Sequence, residues 1–304
     1  MKTEPRLQNI AKMMSPGARI CPSQNGVFAI LLEQKDILGL IWSYTALDKE
    51  SRTNLKLVSS RFFIDYVIPF AHDHNLYIKH PPQDVKKTVK CYIIRDSKRK
   101  RYMMYEDGTD KFLMSAQKHS RFMKGCHYAI SLIEDDVDGE HVIGYLSSNF
   151  AGTKMEIIRL DSKGALIQAG AIHFKTLLYF SSGPRRLQIA IPEPCKNQQI
   201  EYSKESTMSN TLLSDQHEGL VVAQNKKPRY CPNSRTYSLT FNGRVTRPSV
   251  KNFQISHPES PNRVIIQFGR VGNHKFNMDY SHPYSAFQAF CIALSSFDFK
   301  LGCN

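Results

Sequence analysis

The feature that most constrains the fold is an almost wholly apolar stretch near the end of the sequence. Between Ala286 and Phe297, nine of twelve residues are apolar, and the exceptions are Gln288, Ser295 and Ser296. A surface helix has one apolar stripe, whereas a helix that is apolar nearly all round is buried on every side. The stretch is too short to cross a bilayer, which takes about 20 apolar residues. It therefore predicts a short helix that the rest of the fold surrounds.

The sequence before this stretch predicts an antiparallel β-structure. Apolar and polar residues alternate in many short runs, separated by turn sequences such as "EDGTD", "SSGPRR" and "FNGR". The alternating runs include 89–93, 128–132, 187–191, 237–245, 264–268 and 276–280. Such a pattern is typical of a β-sandwich or a β-barrel. Only a wide closed barrel offers an apolar interior on all sides of a helix, so we expect the terminal helix to fill a barrel.

Other parts of the chain have a different pattern of apolar residues. Residues 27–67 follow a helical spacing of three to four, with apolar residues at Ile37, Leu40, Ile41, Leu55 and Val58. The proline-containing stretch "NLYIKHPPQDVKK" then interrupts any helix or central strand. We expect a loose segment at 1–26, a helical module at 27–75, a linker at 76–84 and the barrel at 85–304. The polar segment 195–228 is interpreted mostly as a loop.

The net charge gives the first functional indication. The chain of 304 residues has a formal net charge of +14, which favours polyanions such as nucleic acid, anionic lipid or acidic proteins without choosing among them. Its seven cysteines have no short pair spacing, which indicates reduced thiols in the cytosol or nucleus. There is no apolar run long enough for a transmembrane span.

No catalytic motif is recognisable. The sequence contains no Gly-x-Ser-x-Gly elbow, no P-loop and no dinucleotide fingerprint, and its histidines do not occur at metal-ligand spacing. We therefore expect that the protein is not an enzyme, and that it needs no metal and no cofactor.

Six motifs in the second part of the chain resemble the Tubby family. They are, in order, "VKCYIIRD", "LSSNFAGTK", "GPRRLQIAIP", "FNGRVTRPSVKNFQ", "IQFGRVGNHKFNMDY" and "PYSAFQAFCIALSSFDFKLGCN". The resemblance covers about residues 85–304. It implies a mainly β fold (α+β overall), a closed twelve-stranded antiparallel barrel threaded by a hydrophobic C-terminal helix, which agrees with the periodicity. The barrel-filling side chains would be those of Phe287, Phe290, Ile292, Leu294 and Phe297.

The helical module resembles an F-box, which docks the Skp-type adaptor of cullin ubiquitin ligases. The resemblance lies in "DILGLIWSYTALDKESRTNLKLVSSRFFIDYV", although the usual Leu-Pro opening is replaced by "ILLE". Plant Tubby-like proteins carry an F-box directly before the barrel. The resemblance implies adaptor docking through Ile37, Leu40, Ile41, Leu55 and Val58. The alternative is a small helical cap that docks nothing.

The same resemblance implies a binding site for phosphatidylinositol 4,5-bisphosphate. Lys118 in "KFLMSAQKHSRFMK" matches the family's lipid-binding lysine, whereas Ser120 and Ser147 stand where the family has basic residues. Neighbouring residues on a strand face opposite ways, so Arg121 could replace the missing arginine only if the strand ends there or a β-bulge turns it towards Lys118. The alternative for Lys118 is an ordinary outward-facing lysine.

The densest basic run is Lys98-Arg99-Lys100-Arg101, between two predicted strands. We expect it at a hairpin tip, where it could attract an anionic membrane surface, act as a nuclear import signal or simply be solvated. Two further basic residues, Arg244 and Arg247, belong to the family signature and are interpreted as strand-end salt-bridging residues.

Three classes of function remain open. The first is a phosphoinositide-binding adaptor, cytoplasmic and peripheral at the plasma membrane. The second, compatible with it, is a ubiquitin-ligase substrate receptor with an unknown client protein. The third is a transcriptional regulator that associates with nucleic acid in the nucleus, although the basic residues are not interleaved with aromatics as a base-stacking surface requires. A membrane or ciliary cargo adaptor without ligase activity is a variant of the first.

Overall fold

The structure is a computed structural model. It describes residues 88–121, 125–134, 142–160, 164–175, 186–193, 200–203, 208–214, 217–232, 236–257 and 259–298. The predicted segments 1–26, 27–75 and 76–84 lie outside these residues, and so do the predicted docking residues Ile37, Leu40, Ile41, Leu55 and Val58.

The described part of the chain is built mainly from β-strands. In chain order the elements are β1 (Val89–Asp96), β2 (Arg101–Glu106), β3 (Phe112–Arg121), β4 (Gly125–Ser131), β5 (Val142–Ser148), β6 (Lys154–Leu160), β7 (Leu166–Lys175), β8 (Arg186–Pro192), α1 (Met208–Leu213), β9 (Leu220–Gln224), β10 (Arg229–Cys231), β11 (Thr236–Ser238), β12 (Phe253–His257), β13 (Ser260–Arg270), β14 (Lys275–Tyr280) and α2 (Ala286–Ser295).

Twelve of these strands form one antiparallel sheet that curls into a nearly closed barrel. Their order is β12-β13-β14-β1-β2-β3-β4-β5-β6-β7-β8-β9, and β10 pairs with β11 in a separate hairpin. The two edge strands meet where Asn225 bridges to Ile255 and where Lys226 N donates to Gln254 O at 2.7 Å. The predicted twelve-stranded antiparallel barrel is confirmed.

The helix α2 lies inside this barrel. All of its residues are buried, including Phe287 and Gln288. A Cβ atom on Gly144 of β5 would lie 2.6 Å from Cζ of the Phe287 ring, so the strand is in direct contact with the helix. Gln288 Nε2 donates to Ala169 O of β7 at 2.8 Å. The apolar stretch is therefore surrounded by the sheet, as its composition predicts.

Two polar side chains in α2 are satisfied locally. Gln288 and Ser285 form a capping box: the Ser285 hydroxyl accepts from Gln288 N, and the Gln288 side chain accepts from Ser285 N at 2.9 Å. The Ser295 hydroxyl donates to Ile292 O at 2.7 Å. A buried polar group is tolerated only when it is hydrogen-bonded, so these partners explain how the helix carries polar residues inside an apolar barrel.

The C-terminal end of α2 reaches one rim of the barrel, which we call the exit rim. The Phe297 ring packs against the rings of Tyr102, at the start of β2, and Phe276, at the start of β14. The distances between ring centroids are 4.8 Å and 4.9 Å. In an antiparallel barrel this rim also collects the ends of β1, β3, β5, β7, β9 and β13 and the starts of β4, β6, β8 and β12. The opposite rim, where α2 begins, is called the entry rim.

Periodicity missed two short elements and predicted one strand too long. The segment 195–228 was expected to be mostly loop; the structure places α1 and the edge strand β9 within it, and its other described residues lie outside the helices and strands. The alternating run 237–245 was expected to be a strand, but β11 ends at Ser238 and a turn follows at Asn242 and Gly243, both with positive φ. The elements α1, β9 and β11 are each short, and for such elements packing against neighbouring strands outweighs local pattern.

Candidate functional site

Basic residues are concentrated at the exit rim. Those in or next to the described strand ends there are Lys98, Arg99, Lys100, Arg101, Lys118, Lys154, Lys175, Arg186, Lys226 and Lys275. The entry rim is mixed in charge: beside the basic Lys90, Lys111 and Arg263 it has the acidic residues Glu106, Asp107, Asp110, Glu134, Glu193 and Glu218. Because charges of one sign sum to a potential over the surface they share, the exit rim should attract anions.

The turn between β1 and β2 carries the densest part of this charge, and we call it the basic turn (residues 97–100). Its three basic residues are exposed. Asp96 shapes the turn, because its Oδ1 accepts from Lys98 N at 2.9 Å and Arg99 N at 3.0 Å. The pKa of Asp96 is lowered, first of all by this hydrogen bond from the Arg99 backbone. The expected hairpin tip is confirmed.

The basic turn is fixed against β3, next to Lys118. Lys118 N donates to Lys100 O at 3.0 Å, and Gln117 Nε2 donates to Arg99 O at 2.8 Å. Two stretches that the sequence separates by about 18 residues are thereby held side by side. The structure brings together the predicted lipid-binding lysine and the predicted membrane-surface patch.

The Lys118 side chain points into the barrel. Lys118 pairs with Tyr128 of β4, and its ammonium makes an ion pair with Asp298, just beyond the end of α2. The Tyr128 hydroxyl donates to the same Asp298 Oδ1 at 2.8 Å. The side chains of Lys118 and Asp298 are 15% and 1% exposed. The alternative of an ordinary outward-facing lysine is therefore wrong.

Two opposing effects act on the pKa of Lys118. Burial, the largest single cause, lowers it, but the charge and the hydrogen bond of Asp298, with further contributions from Cys126 and Tyr102, together raise it by more, so the net shift is upward. The amine is therefore protonated at neutral pH. An ammonium has three N–H donors, and Asp298 takes one of them among the described residues. The group can still offer hydrogen bonds to an anion that approaches from the rim.

The β-bulge that would turn Arg121 towards Lys118 is not present in the pairing of β3 with β4. The register runs evenly from Lys118 opposite Tyr128 to Arg121 opposite Gly125. Gly125 is required for its backbone conformation and its small size. Its φ is +85°, and a Cβ atom there would overlap the Ser148 carbonyl oxygen. Only glycine fits where this connection meets β5.

Ser147 lies on the opposite strand face from Lys118. Tyr128, the partner of Lys118, pairs with Leu146, and Ser147 pairs with His127. Because paired residues share a face and successive residues alternate, the position where the family has an arginine belongs to the outer face.

His173 lies near the end of β7, in surroundings that disfavour its protonated form. Its pKa is lowered, first by burial and then by the charges of Lys154 and Lys175. Burial and neighbouring positive charges both disfavour a further positive charge, so this histidine is neutral at physiological pH.

A second ion-pair cluster lies on the entry side of the sheet and is centred on Arg244. Its guanidinium donates to both carboxylate oxygens of Asp279 and, at 2.6 Å, to Asp107. This fork attaches the turn after β11 to β14 and to the β2–β3 connection. The interpretation of Arg244 as a salt-bridging residue is confirmed. Arg247 instead donates to Asn273 Oδ1 at 2.8 Å.

Other kinds of site are not seen in the described part of the chain. No three His, Cys, Asp or Glu side chains there come close enough to hold a metal ion. No described helix combines the length and the apolarity that a membrane crossing requires. Cys91, Cys126 and Cys291 are free thiols, and burial raises the pKa of Cys291 well above its ordinary value.

A twelve-stranded antiparallel barrel filled by its own C-terminal helix is the architecture that the resemblance to the Tubby family implies. The chain belongs to the Tub family, whose model matches residues 78–299.

Several animal and plant proteins are similar to the chain. It is 38% identical over 249 residues to Tubby-related protein 3 of Homo sapiens, covering 73% of this chain and 56% of that protein. It is 34% identical over 289 residues to Tubby-like F-box protein 3 of Arabidopsis thaliana, covering 71% of this chain and 70% of that protein. The chain spans about half the length of the curated Tubby-related proteins that it matches.

The site residue that sequence reasoning missed is Asp298. It directly follows the apolar stretch, and a carboxylate buried inside a barrel needs a cationic or hydrogen-bonding partner. Met114, Ala116 and Lys118 alternate along β3, so the lysine continues an apolar row that faces inward. These two signals together could have predicted the pair.

Proposed function

We propose that the protein is a phosphoinositide-binding adaptor that attaches to the cytoplasmic face of the plasma membrane by its exit rim. The observation that carries this proposal is the docking of the basic turn beside Lys118, through the bond from Lys118 N to Lys100 O. Membership of the Tub family supports it. The headgroup phosphates would lie between the Lys118 ammonium and the side chains of the turn.

Asp298 has a positioning role in this proposal. It holds the Lys118 ammonium at the mouth of the barrel, and the remaining N–H donors of the ammonium face the phosphates. Charge-assisted bonds of this kind are about twice as strong as neutral ones. Arg121 is a further proposed contact, because it is adjacent to Ser120, where the family has a basic residue, and β3 ends at Arg121.

Vesicle binding with two matched charge-removal variants tests the proposal. Lys98→Ser/Arg99→Ser/Lys100→Ser removes three charges at the exit rim. Lys90→Ser/Lys111→Ser/Arg263→Ser removes three towards the entry rim. We expect the first variant to bind vesicles with phosphatidylinositol 4,5-bisphosphate at least tenfold more weakly, about 1.4 kcal/mol, and the second to bind within about twofold of wild type.

Two results would contradict the proposal. Equal losses in both variants would mean diffuse attraction that depends only on net charge. Equal binding of the wild type to inositide vesicles and to phosphatidylserine vesicles of the same charge would mean that no headgroup site exists.

A second candidate function, compatible with the first, is that of a ubiquitin-ligase substrate receptor. A relative of this chain is named a Tubby-like F-box protein, and the segment before the barrel resembles an F-box. We infer that this segment docks a Skp-type adaptor while the barrel selects the client or the membrane. Leu40→Asp or Ile41→Asp should abolish co-purification of the adaptor and leave the melting temperature of the barrel unchanged.

The outcomes separate the remaining alternatives. Lipid binding without adaptor co-purification favours a cargo adaptor that has no ligase activity. Binding to duplex DNA, with no preference for inositide vesicles, favours a transcriptional regulator.

A further inference from the structure

Two apolar side chains stand out from the surface at the exit rim. Among the described residues, the large apolar side chains with the greatest exposure are Val250 at 70% and Phe150 at 66%. Single exposed apolar residues are ordinary on protein surfaces. What distinguishes these two is that both project from short turns at the rim where the basic residues also lie.

Phe150 is held at the tip of the connection between β5 and β6. Asn149 builds this tip: its Oδ1 accepts from Thr153 N at 2.9 Å and from Lys154 N at 3.1 Å. Gly152 N also donates to Asn149 O at 3.0 Å. A turn with this many internal hydrogen bonds is rigid, so it does not fold back to bury its phenylalanine.

Val250 lies on a second tip, in the segment that leads into β12. Arg247 N donates to Arg270 O at the end of β13, at 3.0 Å. Asn252 closes the tip, because its side chain donates to Arg247 O at 2.9 Å and its backbone N donates to Ser249 O at 3.1 Å. This tip is therefore also attached to a strand end of the exit rim.

We propose that Phe150 and Val250 insert into the boundary between headgroups and acyl chains of an anionic membrane. This inference rests on the proposed lipid-binding function and deepens it by naming the surface and its orientation. Apolar side chains that point out of a basic surface match an anionic bilayer, because the charges attract its headgroups while the apolar groups leave water. Rigid tips also lose little conformational entropy when they insert.

The orientation that follows is specific. The exit rim faces the bilayer, so the Lys118–Asp298 pair at the end of α2 lies beneath the headgroups. The entry rim, with Leu166 at the start of β7, points away from the membrane. Leu166 is also exposed, and it therefore provides a matched control on the opposite rim.

Tryptophan fluorescence tests the insertion directly. The variants are Phe150→Trp, Val250→Trp and the control Leu166→Trp. The wild-type chain, whose single tryptophan is Trp42, supplies the background signal. The vesicles contain phosphatidylcholine with brominated acyl chains and phosphatidylinositol 4,5-bisphosphate. We expect a blue shift and quenching by the bromines for the first two variants, and neither change for the control.

A binding measurement complements the spectroscopy. Phe150→Ser should weaken binding to inositide vesicles about five- to tenfold, whereas Leu166→Ser should leave it unchanged. Because Phe150 is exposed, its replacement should not lower the melting temperature. Binding of the soluble inositol 1,4,5-trisphosphate headgroup should be the same for both variants and the wild type, because insertion concerns the acyl region only.

The outcomes distinguish this inference from the function on which it rests. If wild type binds inositide vesicles but neither tip tryptophan is quenched, the insertion is wrong and the proposed function stands. If the tips are quenched equally on phosphatidylserine vesicles, insertion stands and inositide selectivity fails. If wild type binds no anionic vesicle, both fail.

Discussion

The two ion-pair clusters of the barrel differ in how completely their cation is used. The Arg244 guanidinium donates hydrogen bonds to Asp279, Asp107 and the Cys91 carbonyl oxygen, so that it joins three parts of the chain. Among the described residues, Lys118 makes one ion pair, with Asp298, at the mouth of the barrel. A planar fork with several fixed partners is suited to holding structure, whereas a point charge with spare donors is suited to binding an anion. The comparison teaches that burial and pairing alone do not identify a binding residue.

Removal of the central helix should have the largest effect and should abolish both clusters together. A chain that ends before Ser285 lacks Phe287, Phe290, Ile292, Leu294 and Phe297, and also Asp298. Each large buried apolar side chain contributes about 1.5–3 kcal/mol, which together approaches or exceeds the stability of about 5–15 kcal/mol of a typical domain. We expect an insoluble product in a solubility and melting assay. A soluble fragment that melts cooperatively would show that the Arg244 cluster and the sheet suffice.

The next largest effect should come from Arg244→Ala, through stability alone. Asp279, whose side chain is 3% exposed, would lose its cationic partner and keep only the amide of Gln267. Loss of one member of a buried pair costs about 3 kcal/mol, and denaturant titration would measure it. Arg247→Ala, which removes a bond to Asn273 only, is the control and should cost below about 0.5 kcal/mol. Vesicle binding of the folded Arg244→Ala protein should match wild type, and a tenfold loss would contradict the contrast between the clusters.

Lys118→Met should give the opposite combination. It should weaken inositide-vesicle binding at least tenfold, and it should also cost about 3 kcal/mol of stability because the Asp298 carboxylate is left buried without its cationic partner. The double variant Lys118→Met/Asp298→Asn removes the uncompensated charge, so we expect it to regain most of the stability and none of the lipid affinity. If the double variant binds lipid like wild type, Lys118 has only a structural role, as Arg244 does.

The smallest expected effect concerns His173 and the pH dependence of stability. The folded-state pKa of His173 is lowered, so its contribution to stability is present above the unfolded pKa of about 6.5 and is lost as the pH falls through that value towards the folded pKa. Since the side chain is partly exposed, the loss should be a few tenths of a kcal/mol. His173→Gln should flatten this part of the curve between pH 7 and pH 5, in steps of about half a unit. An unchanged slope would mean that neither burial nor the charges of Lys154 and Lys175 disfavour protonation of His173 in the folded state.

The helix and barrel were predictable because both depend on local patterns. An apolar stretch without a polar face must be surrounded, and alternation with period two identifies strands such as β1, β8 and β14 wherever they are long enough. The edge strand β9 was missed because its five residues, Leu220–Gln224, carry too little pattern. Its place is decided by pairing with β8 and by its bridge to β12.

By itself, the sequence determined that a helix is enclosed by an antiparallel sheet, and that the chain carries excess positive charge. Only the tertiary structure decided that the charge gathers at one rim, that Lys118 meets a carboxylate 180 residues away, and that Phe150 and Val250 project at that same rim. The physical reason is that the periodic pattern of apolar residues specifies only local secondary structure, over a few neighbouring residues. Contacts between distant residues depend instead on strand order, pairing register and the direction in which the helix enters the barrel, and each of these is set by the packing of the whole core.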